Sequence, residues 1–131
     1  MARILLVDDD IDLIAGLKVF LEKSGYQVES AVSVEEGCEK AAAFKPEIII
    51  ADLMMEHYDS GFVFSKKVRE VPGMEKVPII MQTAAPRKVG FTFDPASSAG
   101  RDWMKVNEVL TKPVPLEHLL GKIELLLSRS G

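Results

Sequence analysis

The sequence has very little cysteine: Cys38 is the only one among 131 residues. A single thiol cannot form a disulfide within the chain, which excludes a disulfide-stapled scaffold and favours a reducing compartment. The chain also lacks any run of the about 20 apolar residues that a membrane-spanning helix needs. Its first residues, Met1-Ala2-Arg3, lead directly into a predicted strand without the apolar region of a signal peptide. We therefore expect a cytoplasmic protein that does not associate with membranes.

An excess of positive charge is absent as well. The 16 Lys and Arg residues are outnumbered by 20 Asp and Glu, which gives a net charge of −4, and the basic residues are scattered along the chain. This distribution argues against direct binding of nucleic acid. The hydrophobic fraction of 47% and the charged fraction of 27% are typical of globular proteins. With no internal repeat and no linker, residues 1–131 are predicted to form a single domain.

Five apolar segments of strand length alternate with segments of helical periodicity. The predicted strands are residues 3–7, 26–31, 48–52, 77–81 and 109–110, and the predicted helices are residues 11–24, 33–45, 62–71 and 115–128. The second of these helices opens on a capping box, in which Ser33 is followed three residues later by Glu36. Strands that alternate with helices in this way predict a doubly wound parallel sheet with right-handed crossovers. The expected α/β fold is flavodoxin-like, with strand order 2-1-3-4-5.

The helical periodicity also predicts which side chains face the core. In the second helix the inward side chains are expected to be Val34, Cys38, Ala41 and Ala42, and in the third helix Phe62, Val63 and Val68. Cys38 is thus interpreted as a core residue rather than a nucleophile.

Residues with reactive or charged side chains stand where the predicted strands end. Asp8 and Asp9 follow the first strand, Asp52 ends the third, Thr83 follows the fourth and Lys112 follows the fifth. The carboxyl ends of parallel strands lie at one edge of the sheet, where ligands bind in open α/β folds. The predicted strand order places Asp8, Asp9 and Asp52 side by side, with Thr83 one strand away and Lys112 two strands away.

Three neighbouring carboxylates repel one another unless a cation lies between them. Oxygen ligands of this kind, completed by a backbone carbonyl and waters, are typical of Mg²⁺ sites that leave one position for a phosphate oxygen. Lys112 and Thr83 would neutralise and hydrogen-bond the oxygens of a transferring phosphoryl group. Asp52 would then act as the nucleophile and form an acyl phosphate.

These residues resemble the receiver domains of two-component response regulators along the whole chain. The resemblance rests on the acidic pair Asp8-Asp9, on Asp52 within Asp52-Leu53-Met54-Met55, on Thr83 followed by the small Ala84, and on Lys112-Pro113. It implies a phosphoacceptor that takes a phosphoryl group from a sensor histidine kinase or a histidine phosphotransfer protein and then signals to a downstream partner. Such a domain is not an enzyme in the usual sense, although it catalyses its own phosphorylation and dephosphorylation.

The resemblance also implies roles for individual residues. Asp9, Asp52 and the main-chain carbonyl of Met54 would bind Mg²⁺, and Asp8 would hold a water on the metal. The peptide bond before Pro113 would be cis, and Met54 and Ala85 would control water access to the phosphoryl group.

Two positions depart from the family pattern. Val109 replaces the aromatic residue that usually acts as a rotamer switch, and Glu56 replaces a proline four residues after the acceptor. The stretch between Thr83 and Lys112 is also longer than usual, and residues 90–95 replace the start of the usual fourth helix with a β-prone segment that contains Pro95. We therefore expect an atypical fourth helix, missing or very short, and a readout by ordering of the 86–106 loop rather than by a rotamer switch.

Other functions remain open from the residues alone. A phosphohydrolase of the haloacid-dehalogenase type would use Asp8 as nucleophile with Mg²⁺, but this leaves Asp52 without a role. A flavodoxin-like module that binds FMN shares the fold, yet aspartates after the first strand would repel its phosphate. A degenerate receiver that only binds partners is a third possibility, although all five chemical positions are present.

Overall fold

The computed structural model describes residues 2–52, 60–83, 108–111 and 114–130. The strands are β1 Arg3–Val7, β2 Gln27–Ala31, β3 Ile48–Asp52, β4 Ile79–Thr83 and β5 Glu108–Thr111. The helices of this part of the chain are α1 Ile11–Lys23, α2 Val34–Phe44, α3 Ser60–Val68 and α4 Leu116–Ser130. The helix predicted as atypical between β4 and β5, together with the 86–106 loop, lies outside the described residues.

The five strands form one sheet in the order β2-β1-β3-β4-β5, and every neighbouring pair is parallel. This confirms the predicted α/β fold and its strand order. All residues of β3 are buried, as expected for a central strand covered on both faces, whereas β2 lies at an edge and begins with the exposed Gln27. Within the ranges that the structure describes, no helix is long and apolar enough to cross a bilayer.

The two faces of the sheet carry separate hydrophobic cores. The α2/α3 face is the side whose core comprises Leu5, Val7, Ile49, Ala51, Ile79 and Met81 of the strands with Ala41, Phe64 and Val68 of helices α2 and α3. The α1/α4 face is the side whose core comprises Ile4, Leu6, Ile48, Ile50 and Ile80 of the strands with Ile14, Leu17, Leu21, Leu119, Ile123 and Leu126 of helices α1 and α4. Because successive strand residues point to opposite faces, each strand supplies both cores.

The helix ends follow the local signals in the sequence. The Asp10 carboxylate caps α1 by accepting a hydrogen bond from the Leu13 N–H at 3.1 Å, and Gly25 beyond its other end has a φ of +101°. At the start of α2, the Ser33 hydroxyl accepts from the Glu36 N–H at 3.1 Å. The Glu36 carboxylate accepts in turn from the N–H of Val32, one residue before the cap, at 2.8 Å. The predicted capping box is therefore present, with its second bond moved by one residue.

The predicted inward faces of two helices were wrong at particular positions. In α2, Ala42 is exposed and Gly37 is buried, because α2 packs so closely on its neighbours that only a residue without a side chain fits there. In α3, Val63 is 38% exposed and Phe64 is fully buried. Helix α3 also begins and ends before the predicted bounds of 62–71, and the face that packs on the sheet follows Phe64 and Val68, which are four residues apart.

Candidate functional site

Three acidic side chains meet at the carboxyl edge of the sheet. Asp8 and Asp9 follow β1, and Asp52 is the last residue of the neighbouring strand β3. One carboxylate oxygen from each residue lies within 4.8 Å of the others. Asp8 and Asp52 are only 5% and 6% exposed, whereas Asp9 is exposed. The cluster therefore has two buried carboxylates and one that faces solvent.

The turn between β1 and α1 fixes the Asp8 carboxylate. The Asp8 N–H donates to the carbonyl of Ala31 at 3.0 Å, which holds the end of β1 against β2. The Asp8 Oδ1 atom accepts a hydrogen bond from the Asp10 N–H at 2.9 Å. Since Asp10 also caps α1, the chain turns directly from the strand into the helix. The positive end of the α1 dipole then lies beside the carboxylates and partly offsets their repulsion.

The donor set of this cluster fits a hard divalent cation. Carboxylate oxygens are the ligands that Mg²⁺ prefers, and Mg²⁺ usually keeps several waters in addition to one or two carboxylates. The exposed Asp9 leaves the cluster open to solvent on one side, so that waters and a further oxygen ligand can reach a cation held there. The structure thus brings together the three acidic residues that the sequence predicted at the metal site.

The other predicted site residues are only partly covered by the structure. Thr83 is the last residue of β4 and stands in register with Thr111 at the end of β5. Lys112 follows Thr111 in the chain but lies outside the described residues, as do Met54, Glu56, Ala85 and Pro113. The described backbone places β4 beside β3, and β5 beside β4, at the same sheet edge as the carboxylates.

Val109 occupies the position at which the resemblance described in the sequence analysis implies an aromatic switch residue. It lies in β5, is half-buried and packs against the core of the α2/α3 face. A β-branched aliphatic side chain in this place has few rotamers and no polar tip. Val109 therefore serves as a packing residue of this core.

Gln82 is the polar neighbour of the site that the sequence reasoning missed. It is 4% exposed and is the register partner of Asp52 on the adjacent strand β4. A signal was present in the sequence, because Gln82 interrupts the apolar run Ile79–Met81 immediately before Thr83. Gln82 is thus a largely buried polar residue that the strand pairing brings next to Asp52.

A cavity of about 640 Å³ lies elsewhere on the molecule. Its lining includes Ala2, Pro46, Val77 and Pro78, which precede β1, β3 and β4, together with Leu127 of α4. It is therefore at the amino edge of the sheet, opposite to the carboxylates. The cavity is not part of the candidate site, because the acidic cluster lies at the other end of the strands.

Comparisons with known proteins agree with this arrangement. The family model for the response regulator receiver domain matches residues 4–124. The transcriptional regulator RpaA of Synechocystis is 32% identical over 99% of this chain and 51% of its own length. Protein PilH of Pseudomonas aeruginosa is 31% identical and is covered over 99% of its length. The solved structure of the chemotaxis response regulator CheY4 of Vibrio cholerae superposes with a TM-score of 0.81 at 29% identity, covering 96% of this chain and 98% of that one.

The relatives differ in length. The chain spans about half the length of RpaA and of the regulator PhoP of Bacillus subtilis, and nearly the whole length of PilH.

Proposed function

Because this chain belongs to the response regulator receiver domain family, we propose that it accepts a phosphoryl group on Asp52 and changes conformation to pass on a signal. The observation that carries this proposal is the convergence of Asp8, Asp9 and Asp52 at the end of neighbouring strands, with two of the carboxylates buried. The donor would be a sensor histidine kinase or a histidine phosphotransfer protein in the cytoplasm. The receiver of the signal would be a downstream output partner.

The proposed reaction is a transfer of the phosphoryl group between two side chains. An oxygen of the Asp52 carboxylate attacks phosphorus, and the bond between phosphorus and the donor histidine nitrogen breaks. The electron pair of that bond stays on the imidazole, and the product on this chain is an acyl phosphate. Reaction with water later forms inorganic phosphate and returns the carboxylate. The chain would promote both steps on itself and is not an enzyme that acts on a separate substrate.

The acidic residues would bind the metal, and the other residues of the site would bind the phosphoryl group. Asp9, Asp52 and the main-chain carbonyl of Met54 would hold Mg²⁺, and Asp8 would hold a water on it. When bound, Mg²⁺ supplies positive charge against the carboxylates and the phosphoryl oxygens. The Thr83 hydroxyl and the Lys112 ammonium would bind the remaining phosphoryl oxygens. The exposed Asp9 keeps one side of the cluster open for the phosphodonor.

Labelling with a small phosphodonor tests this proposal. After incubation with acetyl phosphate and Mg²⁺, we expect intact mass spectrometry to show one added phosphoryl group, located on Asp52 by fragmentation. The Asp52→Asn variant should gain none. Asp12→Asn is the matched control, because Asp12 is an exposed acid in the first turn of α1 and should leave the uptake unchanged.

Two results would contradict the proposal. Phosphate found on Asp8 would favour the phosphohydrolase of the haloacid-dehalogenase type, which uses the carboxylate after the first strand. A wild-type protein that takes up no phosphate under conditions that phosphorylate another receiver would indicate a degenerate receiver that only binds partners.

A further inference from the structure

The cavity at the amino edge of the sheet is lined in large part by apolar side chains. Pro46, Val77 and Pro78 are buried where strands β3 and β4 begin, and the half-buried Leu127 of α4 lies beside them. The volume of about 640 Å³ falls within the range of small-molecule sites, which is roughly 300–1,000 Å³. The cavity is therefore large enough to receive the apolar part of a small organic ligand.

Hydrogen bonds hold the walls of this cavity in place. The guanidinium of Arg69, just after α3, donates to the backbone carbonyls of Met74 and Val77 and so fixes the loop between α3 and β4. The N–H of Ile49 donates to the carbonyl of Pro78 at 2.9 Å, which ties the end of this loop to β3. A ligand would thus enter a cavity that is already formed, and little conformational entropy would be lost on binding.

Charged side chains of both signs also line the cavity. The Glu47 carboxylate is already engaged by Arg3, whose N–H donates to Oε1 at 3.2 Å and whose Nη1 lies 3.6 Å from the same oxygen. Glu75 and Lys76 are exposed, and within the part of the chain that the structure describes neither of them forms an ion pair. One carboxylate and one ammonium beside the apolar lining are therefore open to the charges of a ligand.

We propose that the cavity at the amino edge binds an α-amino acid with a large apolar side chain. The ammonium of the ligand pairs with Glu75, its carboxylate pairs with Lys76, and its side chain packs against the lining of Pro46, Pro78 and Leu127. Exposed ion pairs contribute little to affinity, so burial of the apolar side chain supplies most of the binding, and the two charges select for a zwitterion. This inference does not depend on the proposed role of Asp52.

A titration with L-phenylalanine, followed by backbone amide chemical shifts, tests the proposal. We expect shifts at the N–H groups of Glu47, Gly73 and Val77, which line the cavity. Two analogues each lack one charge: 2-phenylethylamine has no carboxylate, and 3-phenylpropanoate has no ammonium. Each should bind about two- to fivefold more weakly than L-phenylalanine, which is the effect of one exposed ion pair. Glycine, which has no side chain to bury, should cause no shifts at these positions.

Two neutralising variants assign the charges to particular residues. Lys76→Gln should bind L-phenylalanine about two- to fivefold more weakly but should not lose affinity for 2-phenylethylamine, which has no carboxylate. Glu75→Gln should show the same loss for L-phenylalanine and none for 3-phenylpropanoate. Both residues are exposed, so both variants are expected to fold. Glu35→Gln is the matched control, because Glu35 is exposed in the first turn of α2, at the opposite edge of the sheet.

Three results would overturn the inference. These are the absence of shifts at the cavity with L-phenylalanine, shifts confined to Asp8, Asp9 and Asp10 at the acidic edge, and equal affinities for L-phenylalanine and its two analogues. The Asp52→Asn protein should bind L-phenylalanine as wild type does, because Asp52 ends β3 at the edge opposite to the cavity. Failure of the proposed phosphoacceptor function would therefore leave this result unchanged.

Discussion

The charge of individual carboxylates has opposite consequences for folding and for chemistry. Asp8, Asp9 and Asp52 lie close enough to share one cation, and two of them are removed from water. Like charges at this separation repel, and this repulsion lowers the stability of the fold when no cation is present. The same concentration of charge is what would attract a divalent metal. The site is therefore expected to reduce stability in the metal-free protein.

Removal of one charge from this cluster tests that expectation. We expect the metal-free Asp52→Asn protein to be as stable as wild type or more stable by up to about 2 kcal/mol, because one of three neighbouring charges is lost. Urea unfolding in the presence of EDTA measures the difference. A marked loss of stability would mean that Asp52 has a structural role instead.

Cys38 differs from the site residues because its surroundings disfavour the thiolate. It packs against the core of the α2/α3 face, and desolvation raises the pKa of its thiol, with Lys67 opposing this shift and Glu70 adding to it. Because the folded state holds the thiol proton more tightly, the thiol contributes stability at neutral pH that is lost as the pH rises through the raised pKa. As predicted, Cys38 packs against the core, as a partly buried side chain.

Alkylation provides the measurement. At pH 8 we expect native Cys38 to react with iodoacetamide at least about tenfold more slowly than the same residue in urea-unfolded protein, because both the thiolate fraction and the access are reduced. Equal rates in the folded and unfolded states would show that the thiol is exposed and ionised as in a free peptide.

At the scale of secondary-structure elements, the closest approach of α2 to the sheet depends on one glycine. A Cβ atom built on Gly37 would lie 2.8 Å from Cε1 of Phe64 and 3.1 Å from Cγ1 of Val7. Both Phe64 and Val7 are completely buried. The absence of a side chain at Gly37 therefore lets α2 pack against both α3 and β1.

The Gly37→Ala variant should lose about 1–3 kcal/mol of stability, because the added methyl group displaces a fully buried ring or moves the helix. Gly16→Ala is the matched control. Gly16 lies within α1 with no atom in the way of a Cβ, and alanine there should raise stability by up to about 1 kcal/mol through helix propensity. Denaturant unfolding measures the free energy of unfolding of both variants. An equal change in the two would contradict the close packing of α2.

At the scale of the whole molecule, the two edges of the sheet at which the strands begin and end have different properties. The carboxyl edge carries the acidic cluster, and the amino edge carries the cavity near Pro46 and Pro78. The two hydrophobic cores between these edges are composed mostly of aliphatic side chains. Occupation of the acidic edge should therefore stabilise the complete fold, since the strands that end there run through both cores.

Thermal melting tests this link. Mg²⁺ together with beryllofluoride, a mimic of the phosphoryl group, should raise the melting temperature more than either alone. Binding to the native state at a hundredfold excess over Kd adds about 2.7 kcal/mol. The Asp52→Asn variant serves as the control and should lose the response to beryllofluoride. A melting temperature that neither compound changes in wild type would contradict an active receiver.

Much of the fold was predictable from local sequence. Apolar runs of strand length, the Ser33 cap and Gly25 after α1 indicated the elements, and their alternation left few topologies. The fold class and the strand order were predicted correctly on this basis. The acidic cluster could also be predicted, because parallel strands in this order bring the residues that follow them to one edge.

What the sequence by itself determined was therefore the set of elements, their order in the sheet and the edge at which the acidic residues stand. Only the tertiary structure decided which positions of helices α2 and α3 are the most deeply buried and which neighbour each strand residue has. Gly37 and Phe64 are buried where periodicity predicted Ala42 and Val63, because packing distance between helices depends on partners far apart in the chain. Gln82 is the register partner of Asp52 for a similar reason, because register pairs residues of strands that are far apart in the chain.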